Sequence, residues 1–222
     1  EQGRLLDDKV LQDICGEIKQ QPGLITKYDT KACETPPPLT FKLSDLQALA
    51  NTKLGYSVDE TLQLAQKLYE KQLTTYPRSA CSYLPESMHA DAKNTLTALA
   101  PIFSAAAKAD STLKSRVFND KQLGGESHFA IIPTGNINGV NSLSAKESAL
   151  YKLIAMQYIA QFYPNMKYEQ SDGIVQVKDK YNFKFSGLVT KSLGWKELFA
   201  TDKADKDDEP DNEESQVLPP LQ

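Results

Sequence analysis

The sequence predicts an α+β fold, in which a mainly helical domain is inserted into a small antiparallel β domain. Three observations predict it. Helix-start signals recur through the middle of the chain, alternating apolar residues follow Pro164, and the three prolines Pro36–Pro38 interrupt regular structure before the middle begins. We therefore assign residues 36–164 to the helical domain and residues 1–35 and 165–222 to the β domain. A chain of 222 residues is long enough to bury one large core or two smaller ones.

Capping patterns predict the helices of the middle segment. Three sites place Glu or Gln three residues after a serine, so that the two side chains cap the same helix start. These sites are Ser44 with Gln47, Ser57 with Glu60, and Ser144 with Glu147. Gly55 predicts the end of the first of these helices, and Pro85 followed by Glu86 predicts the start of another. Apolar residues recur at helical spacing in all four segments, which indicates a packed core.

The two flanks predict one helix and several strands. Residues 4–18 have apolar side chains at a helical period, and residues 23–30 predict a strand. After Pro164 the period of the pattern changes to two. Strands are predicted there at residues 168–170, 174–178 and 183–189, with turns near Asp172-Gly173 and Tyr181-Asn182.

Composition narrows the class of protein. The net charge of −4 is uneven, because residues 201–214 contain eight acids and two lysines, which predicts a solvated acidic loop. The near-neutral remainder neither requires nor excludes a nucleic-acid partner.

Three cysteines without a C-x-x-C pair argue against a disulfide framework or a zinc site and favour a reducing cytosol. No apolar run approaches the roughly 20 residues of a membrane span. The chain shows no signal-peptide pattern, and both ends suggest a piece of a longer protein.

The stretch LTTYPRSAC, residues 73–81, has the clearest chemical signal. Pro77 restricts Tyr76 to extended backbone, and in extended chain the side chains at i and i+2 point to the same side. Tyr76 and Arg78 are therefore expected to face one ligand together. A guanidinium suits a phosphate and would also stabilise a phenolate nucleophile beside it. The same residues fit an ordinary surface aromatic, so both interpretations stay open at this point.

Four blocks of the sequence resemble those of one enzyme family. TTYPRSACSYLP at 74–85 is similar to the active-site segment of the type IA DNA topoisomerases, and of the bacterial topoisomerase III kind in particular. PPLTFKLSDLQ at 37–47, LAQKLYE at 64–70 and SHFAIIPT at 127–134 resemble the family's neighbouring blocks, in the same order and at similar spacing. Several ordered blocks are more specific than one short motif.

The resemblance implies a fold and a mechanism. The helical domain would hold the active-site tyrosine, and the β domain would form part of the family's β arch. Tyr76 would attack a phosphodiester of single-stranded DNA and form a 5′-phosphotyrosine link. Arg78 would hold the scissile phosphate, and His128 would contact that phosphate or order the network around it. Thr75 and Ser79 would add hydroxyl contacts to the DNA. Relaxation or decatenation by strand passage would follow without ATP, in a monomer at the nucleoid of the bacterial cytoplasm.

Two residues and one missing region depart from the family pattern. Ala80 stands where an aspartate is usual, and Ser127 stands where an alanine is usual. In the family, a separate N-terminal domain supplies a glutamate, a lysine and an acidic cluster that binds Mg²⁺. The Mg²⁺ ligands are therefore expected outside this chain, and the chain alone is expected to be inactive. The alternative is a non-catalytic single-stranded nucleic-acid-binding module related to the same family.

Overall fold

The structure is a computed structural model, and it describes residues 7–200. These residues form two compact units. The sheet unit contains residues 7–34 and 167–192, and the helical unit contains residues 35–166 and 193–200. Helices together with a three-stranded antiparallel sheet confirm the predicted α+β class. The insertion of a helical domain into a β arch stays a prediction.

The sheet unit consists of one helix and three strands. They are α1 (Asp8–Ile18), β1 (Gly23–Thr35), β2 (Met166–Val177) and β3 (Tyr181–Ser192), with the strands in the order β1-β2-β3. β2 and β3 pair antiparallel from Lys167 opposite Ser192 to Val177 opposite Tyr181. All three strands are longer than the sequence predicted. The hydrogen-bonded pairing of the strands continues through polar residues that the alternating apolar pattern had left outside them.

The turn between β2 and β3 lies beside one of the two predicted positions, Tyr181-Asn182, where β3 begins. It lies at Lys178 and Asp179, whose φ angles of 54° and 52° are left-handed. The predicted turn at Asp172-Gly173 is wrong, since Gly173 lies inside β2 and pairs with Phe185. A Cβ on Gly173 would lie 2.2 Å from Cζ of Phe185, so the glycine makes room for an aromatic ring on the neighbouring strand.

The helical unit contains six α-helices among its described residues. They are α2 (Leu43–Leu54), α3 (Val58–Glu70), α4 (Ala92–Leu99), α5 (Ser104–Lys108), α6 (Asp120–Leu123) and α7 (Ala145–Ile159). Short 3₁₀ segments lie at Glu86–Asp91, Val140–Ser142, Ala160–Phe162 and Gly194–Leu198. α2, α3 and α7 pack on one another through buried side chains that include Leu46, Leu68 and Ile154. None of the helices in residues 7–200 is long and apolar enough to cross a membrane.

Two of the three predicted caps are confirmed. Ser144 and Glu147 exchange both bonds of a capping box at the start of α7, and the Ser57 hydroxyl accepts from the backbone N–H of Glu60. The box at Ser44 is wrong, because α2 begins one residue earlier, at Leu43. The backbone N–H of Leu43 donates to the carbonyl of Ser79 at 2.9 Å, so this helix start is satisfied by the tyrosine segment.

The proline connector is held by side chains of the helical unit. Gln161 donates to the carbonyl of Pro38 and Gln157 to that of Leu39, both at 2.7 Å, and Arg116 donates to the carbonyl of Pro37 at 3.3 Å. A proline run cannot satisfy its own carbonyls, so these three donors order it.

The helical unit also includes residues that the sequence assigned to the β arch. Trp195 donates from its indole to the carbonyl of Thr35 at 3.0 Å, and residues 193–200 group with the helical unit. The acidic loop predicted at residues 201–214 lies outside the described residues. The domain boundaries at residues 36 and 165 stay a prediction.

Candidate active site

Tyr76 lies in a segment of irregular chain, residues 73–79, that runs beside residues 128–134; we call these two segments together the ribbon. α3 ends at Glu70, and Gln72, with a φ of 59°, reverses the chain. The backbone N–H of Thr75 then donates to the carbonyl of Ile132 at 2.9 Å, and the carbonyl of Leu73 accepts from Thr134 at 3.1 Å. These bonds, with the isolated antiparallel bridge between Thr74 and Pro133, hold the segment that contains Tyr76 against residues 128–134, and neither segment forms a regular strand.

The ribbon brings two of the predicted catalytic residues into contact. The rings of Tyr76 and His128 have centroids 4.3 Å apart and are tilted by 36°. The imidazole is exposed and the phenol is half-buried, so both are open to a ligand. The ring of Tyr69, at the end of α3, meets Tyr76 edge-on at 5.6 Å. Sequence reasoning missed Tyr69, although its position seven residues before Tyr76 at the end of a predicted helix could have indicated it.

Arg78 is the free cation beside this aromatic pair. Its side chain is exposed, and within residues 7–200 no hydrogen bond or ion pair holds its guanidinium. Pro77 and Ser79 are buried while Tyr76 and Arg78 are not, which agrees with the expected alternation in extended chain. An unpaired, solvated guanidinium is available for an anion without first breaking a protein contact.

The hydroxyls of Thr75 and Ser79 are used inside the ribbon. Thr75 Oγ1 donates to the carbonyl of Ala130 at 2.9 Å and accepts from the N–H of Ile132 at 3.0 Å. Ser79 Oγ donates to the carbonyl of His128 at 3.2 Å. Ser79 is only 2% exposed, so its hydroxyl is closed to solvent, whereas the sequence predicted a direct DNA contact for it.

One ion pair anchors the chain directly before the ribbon. Lys71 Nζ lies 2.8 Å from Glu147 Oε1, and this bond joins the end of α3 to the start of α7. The hydrogen bond from Lys71, followed by the backbone N–H and the hydroxyl of Ser144, lowers the pKa of Glu147 to about 2. Sequence reasoning found Glu147 as a cap but missed Lys71, because nothing local links residues 76 positions apart.

The residues that depart from the family pattern lie at the surface. Ala80 and Ser127 are both exposed, beside Ser79 and His128 respectively. Within residues 7–200 no three His, Cys, Asp or Glu side chains lie close enough together to hold a metal ion.

Comparisons with known proteins agree on one family. A family model described as DNA topoisomerase matches residues 1–222. DNA topoisomerase 3 of Vibrio cholerae is 36% identical over 203 residues, which cover 89% of this chain and 31% of that protein. DNA topoisomerase 3 of Bacillus subtilis is 30% identical over 227 residues, which cover 100% of this chain and 30% of that protein.

A solved structure supports the fold. The structure of full-length topoisomerase I from Thermotoga maritima matches 99% of this chain and 34% of its own with a TM-score of 0.67 and 23% identity. The chain spans about a third of the length of the curated relatives it matches. The family model and the relatives together cover nearly all of this sequence. The chain therefore belongs to the type IA DNA topoisomerase family and resembles its bacterial topoisomerase III members.

Proposed function

We propose that this chain is the nucleophile-bearing part of a DNA topoisomerase that cleaves and rejoins one DNA strand through Tyr76. The observation that supports this most is the contact between the Tyr76 and His128 rings, 4.3 Å apart, beside the unpaired guanidinium of Arg78. An ordinary surface tyrosine has no need of an exposed imidazole and a free cation. Single-stranded DNA is the substrate that we propose.

The proposed reaction is a reversible phosphoryl transfer. Tyr76 Oη loses its proton and attacks phosphorus, the bond from phosphorus to the 3′ oxygen breaks, and that oxygen leaves as a hydroxyl after taking a proton. Arg78 stabilises both the phenolate and the charge on the phosphate oxygens. His128 lies against the attacking ring and orients it towards the phosphate. Because the phosphotyrosine bond conserves the energy of the broken bond, rejoining needs no ATP.

The complete reaction needs groups beyond residues 7–200. A proton donor for the 3′ oxygen and further stabilisation of the phosphate are required, and the residues described here offer no metal cluster. We therefore propose that any Mg²⁺ is bound by other parts of the enzyme. The chain alone is expected to form no covalent adduct with DNA, and the enzyme is proposed to act as a monomer in the bacterial cytoplasm.

The test joins this chain to the remaining segments of the Vibrio cholerae relative and compares native protein with Tyr76→Phe. The native chimera should relax negatively supercoiled plasmid, and the Phe variant should bind single-stranded DNA but show no relaxation. Tyr69→Phe is the matched control, because it removes a neighbouring phenol hydroxyl while the ring stays. Equal relaxation by native protein and Tyr76→Phe would contradict the proposal. Binding without relaxation in the native chimera would favour the non-catalytic module instead.

A further inference from the structure

We propose that the hydroxyls of Thr75 and Ser79 are positioning groups, which hold Tyr76 against His128, and that neither contacts DNA directly. The geometric part of this inference is independent of the reaction, and only its effect on activity rests on the proposed function. It replaces the direct contacts that the sequence alone predicted for these two residues.

The need for such groups arises at Pro77. Proline has no N–H, so the segment that contains Tyr76 cannot continue a regular ladder through this position. The last regular bond before it runs from the N–H of Thr75 to Ile132. Beyond Pro77 the carbonyl of Ser79 turns to Leu43 at the start of α2 and does not return to the ribbon. Side chains must therefore hold the two segments together around the proline.

The two hydroxyls occupy the positions that this requires, one before and one after the Tyr-Pro-Arg triplet. Thr75 Oγ1 bridges the carbonyl of Ala130, at 2.9 Å, and the N–H of Ile132, at 3.0 Å. Ser79 Oγ accepts from the N–H of Cys81 at 3.1 Å and points its proton at the carbonyl of His128, at 3.2 Å. A weaker contact to the carbonyl of Cys81, at 3.4 Å, shares that proton. Both clamps end on the segment that bears His128.

The clamp at Ser79 matters most for the site, because it holds the main chain of a catalytic candidate. His128 is exposed, so little packing fixes its ring. The bond from the buried Ser79 hydroxyl sets where its backbone lies, and the ring then rests on Tyr76. A phosphate cannot reach a hydroxyl that is 2% exposed and already bonded on both sides.

The test measures ring contact in the whole chain without DNA. Tyrosine and histidine rings are isotope-labelled, and the nuclear Overhauser effect between Tyr76 and His128 is recorded. Ser79→Ala should reduce this signal by at least half, and Ser79→Thr, which keeps the hydroxyl, should restore it. Ser127→Ala is the matched control, since it removes a hydroxyl next to His128 that makes no hydrogen bond to residues 7–200. An unchanged signal in Ser79→Ala would overturn the proposal.

A second pair of variants covers the case in which Ser79→Ala fails to fold. Thr75→Val has nearly the shape of threonine but no hydroxyl, and it should weaken the same signal, whereas Thr75→Ser should keep it. Loss of affinity for an oligothymidine in either hydroxyl-free variant, with the ring signal intact, would show direct DNA contact and overturn the proposal.

The effect on activity is measured separately in the chimera. Misplacement of a reacting group by about 1 Å reduces rates on the order of 10²-fold, so Ser79→Ala should lower relaxation at least ~10-fold, with recovery in Ser79→Thr. A native chimera without activity would count against the proposed function only, because the ring signal is read without DNA. Full activity in Ser79→Ala would overturn the positioning role in the reaction.

Discussion

Glu147 fixes the end of α3 and the start of α7 with one carboxylate. It accepts from Lys71 Nζ and from the backbone N–H of Ser144, each at 2.8 Å, and it is only 6% exposed. Lys71 immediately precedes the residue at which the chain reverses towards Tyr76. This ion pair therefore anchors the point where the chain enters the ribbon, and its loss would reach the site through the backbone.

The pKa of Glu147 predicts how the pair depends on pH. Lys71 is the main cause that lowers this pKa to about 2, below the ordinary value of 4.5. Because the folded protein binds the proton less well than the unfolded chain, the stabilisation is complete above pH 4.5 and is lost as the pH falls through about 2. Glu147→Gln should lower the free energy of unfolding at pH 7 by about 1 to 3 kcal/mol. Its thermal midpoint should then change less than that of native protein as the pH is lowered.

The matched control for this prediction is Glu60→Gln. Glu60 pairs with Lys146 at a more exposed site, where ion pairs contribute about 0 to 1 kcal/mol. Thermal midpoints measured by circular dichroism between pH 7 and pH 2.5 compare the two variants. If both variants lose the same stability at pH 7, the partly buried pair at Glu147 has no special role.

At the scale of single residues, sequence reasoning identified the side chains of the candidate site more reliably than the groups to which they hydrogen-bond. Tyr76 and Arg78 lie two positions apart within one short motif, and the structure leaves both open to a ligand. The partners of Thr75 and Ser79 are carbonyls 55 and 49 positions away, and no local pattern encodes such a distance. Both hydroxyls were therefore predicted as DNA contacts, although the fold uses them internally.

At the scale of elements, the β2–β3 hairpin shows what a local turn signal leaves out. Asp-Gly is a strong turn signal when it stands alone, but Gly173 faces an aromatic ring on the next strand. The actual turn at Lys178 and Asp179 places two non-glycine residues at positive φ, which few sequence patterns predict. The capping box at Ser144 was predicted correctly because all of its partners lie within one helical turn.

The close approach at Gly173 makes a prediction about this sheet. A Cβ there would lie 2.2 Å from Phe185 Cζ and 2.8 Å from the carbonyl of Lys27, so ring and backbone must both move. Gly173→Ala should destabilise the protein by about 1 to 3 kcal/mol, as overpacking generally does. Urea titrations followed by circular dichroism, with hydrogen exchange of the β3 amides, measure the loss and locate it in the sheet.

Gly16 provides the control in the same unit. It lies inside α1, and no atom would lie within 4 Å of an added Cβ. Gly16→Ala should therefore stabilise the helix by roughly 0.5 to 1 kcal/mol. If Gly173→Ala were neutral or stabilising, the packing of Phe185 would not explain why position 173 is a glycine.

At the scale of the whole molecule, the fold class followed from the change of hydrophobic period at Pro164. The extent of each unit did not, because residues 193–200 and the proline connector are held to the helical unit by long-range hydrogen bonds. The net charge of −4 gives no general attraction for nucleic acid, so any DNA affinity must come from particular cations. Arg78 is the first candidate, since it is exposed and unpaired within residues 7–200.

Salt dependence can test whether Arg78 contacts a phosphate. Each phosphate that a cation neutralises on single-stranded DNA adds about 0.7 to the slope of log affinity against log salt concentration. Arg78→Ala should reduce that slope by about 0.7 for an oligothymidine bound to the whole chain, as measured by fluorescence anisotropy. Lys108→Ala removes the same charge from an exposed position at the end of α5. The Lys108 variant should keep the native slope.

Equal reductions in both variants would mean that general charge, and not a contact at Arg78, holds the DNA. An unchanged slope in Arg78→Ala would remove the phosphate from the proposed site.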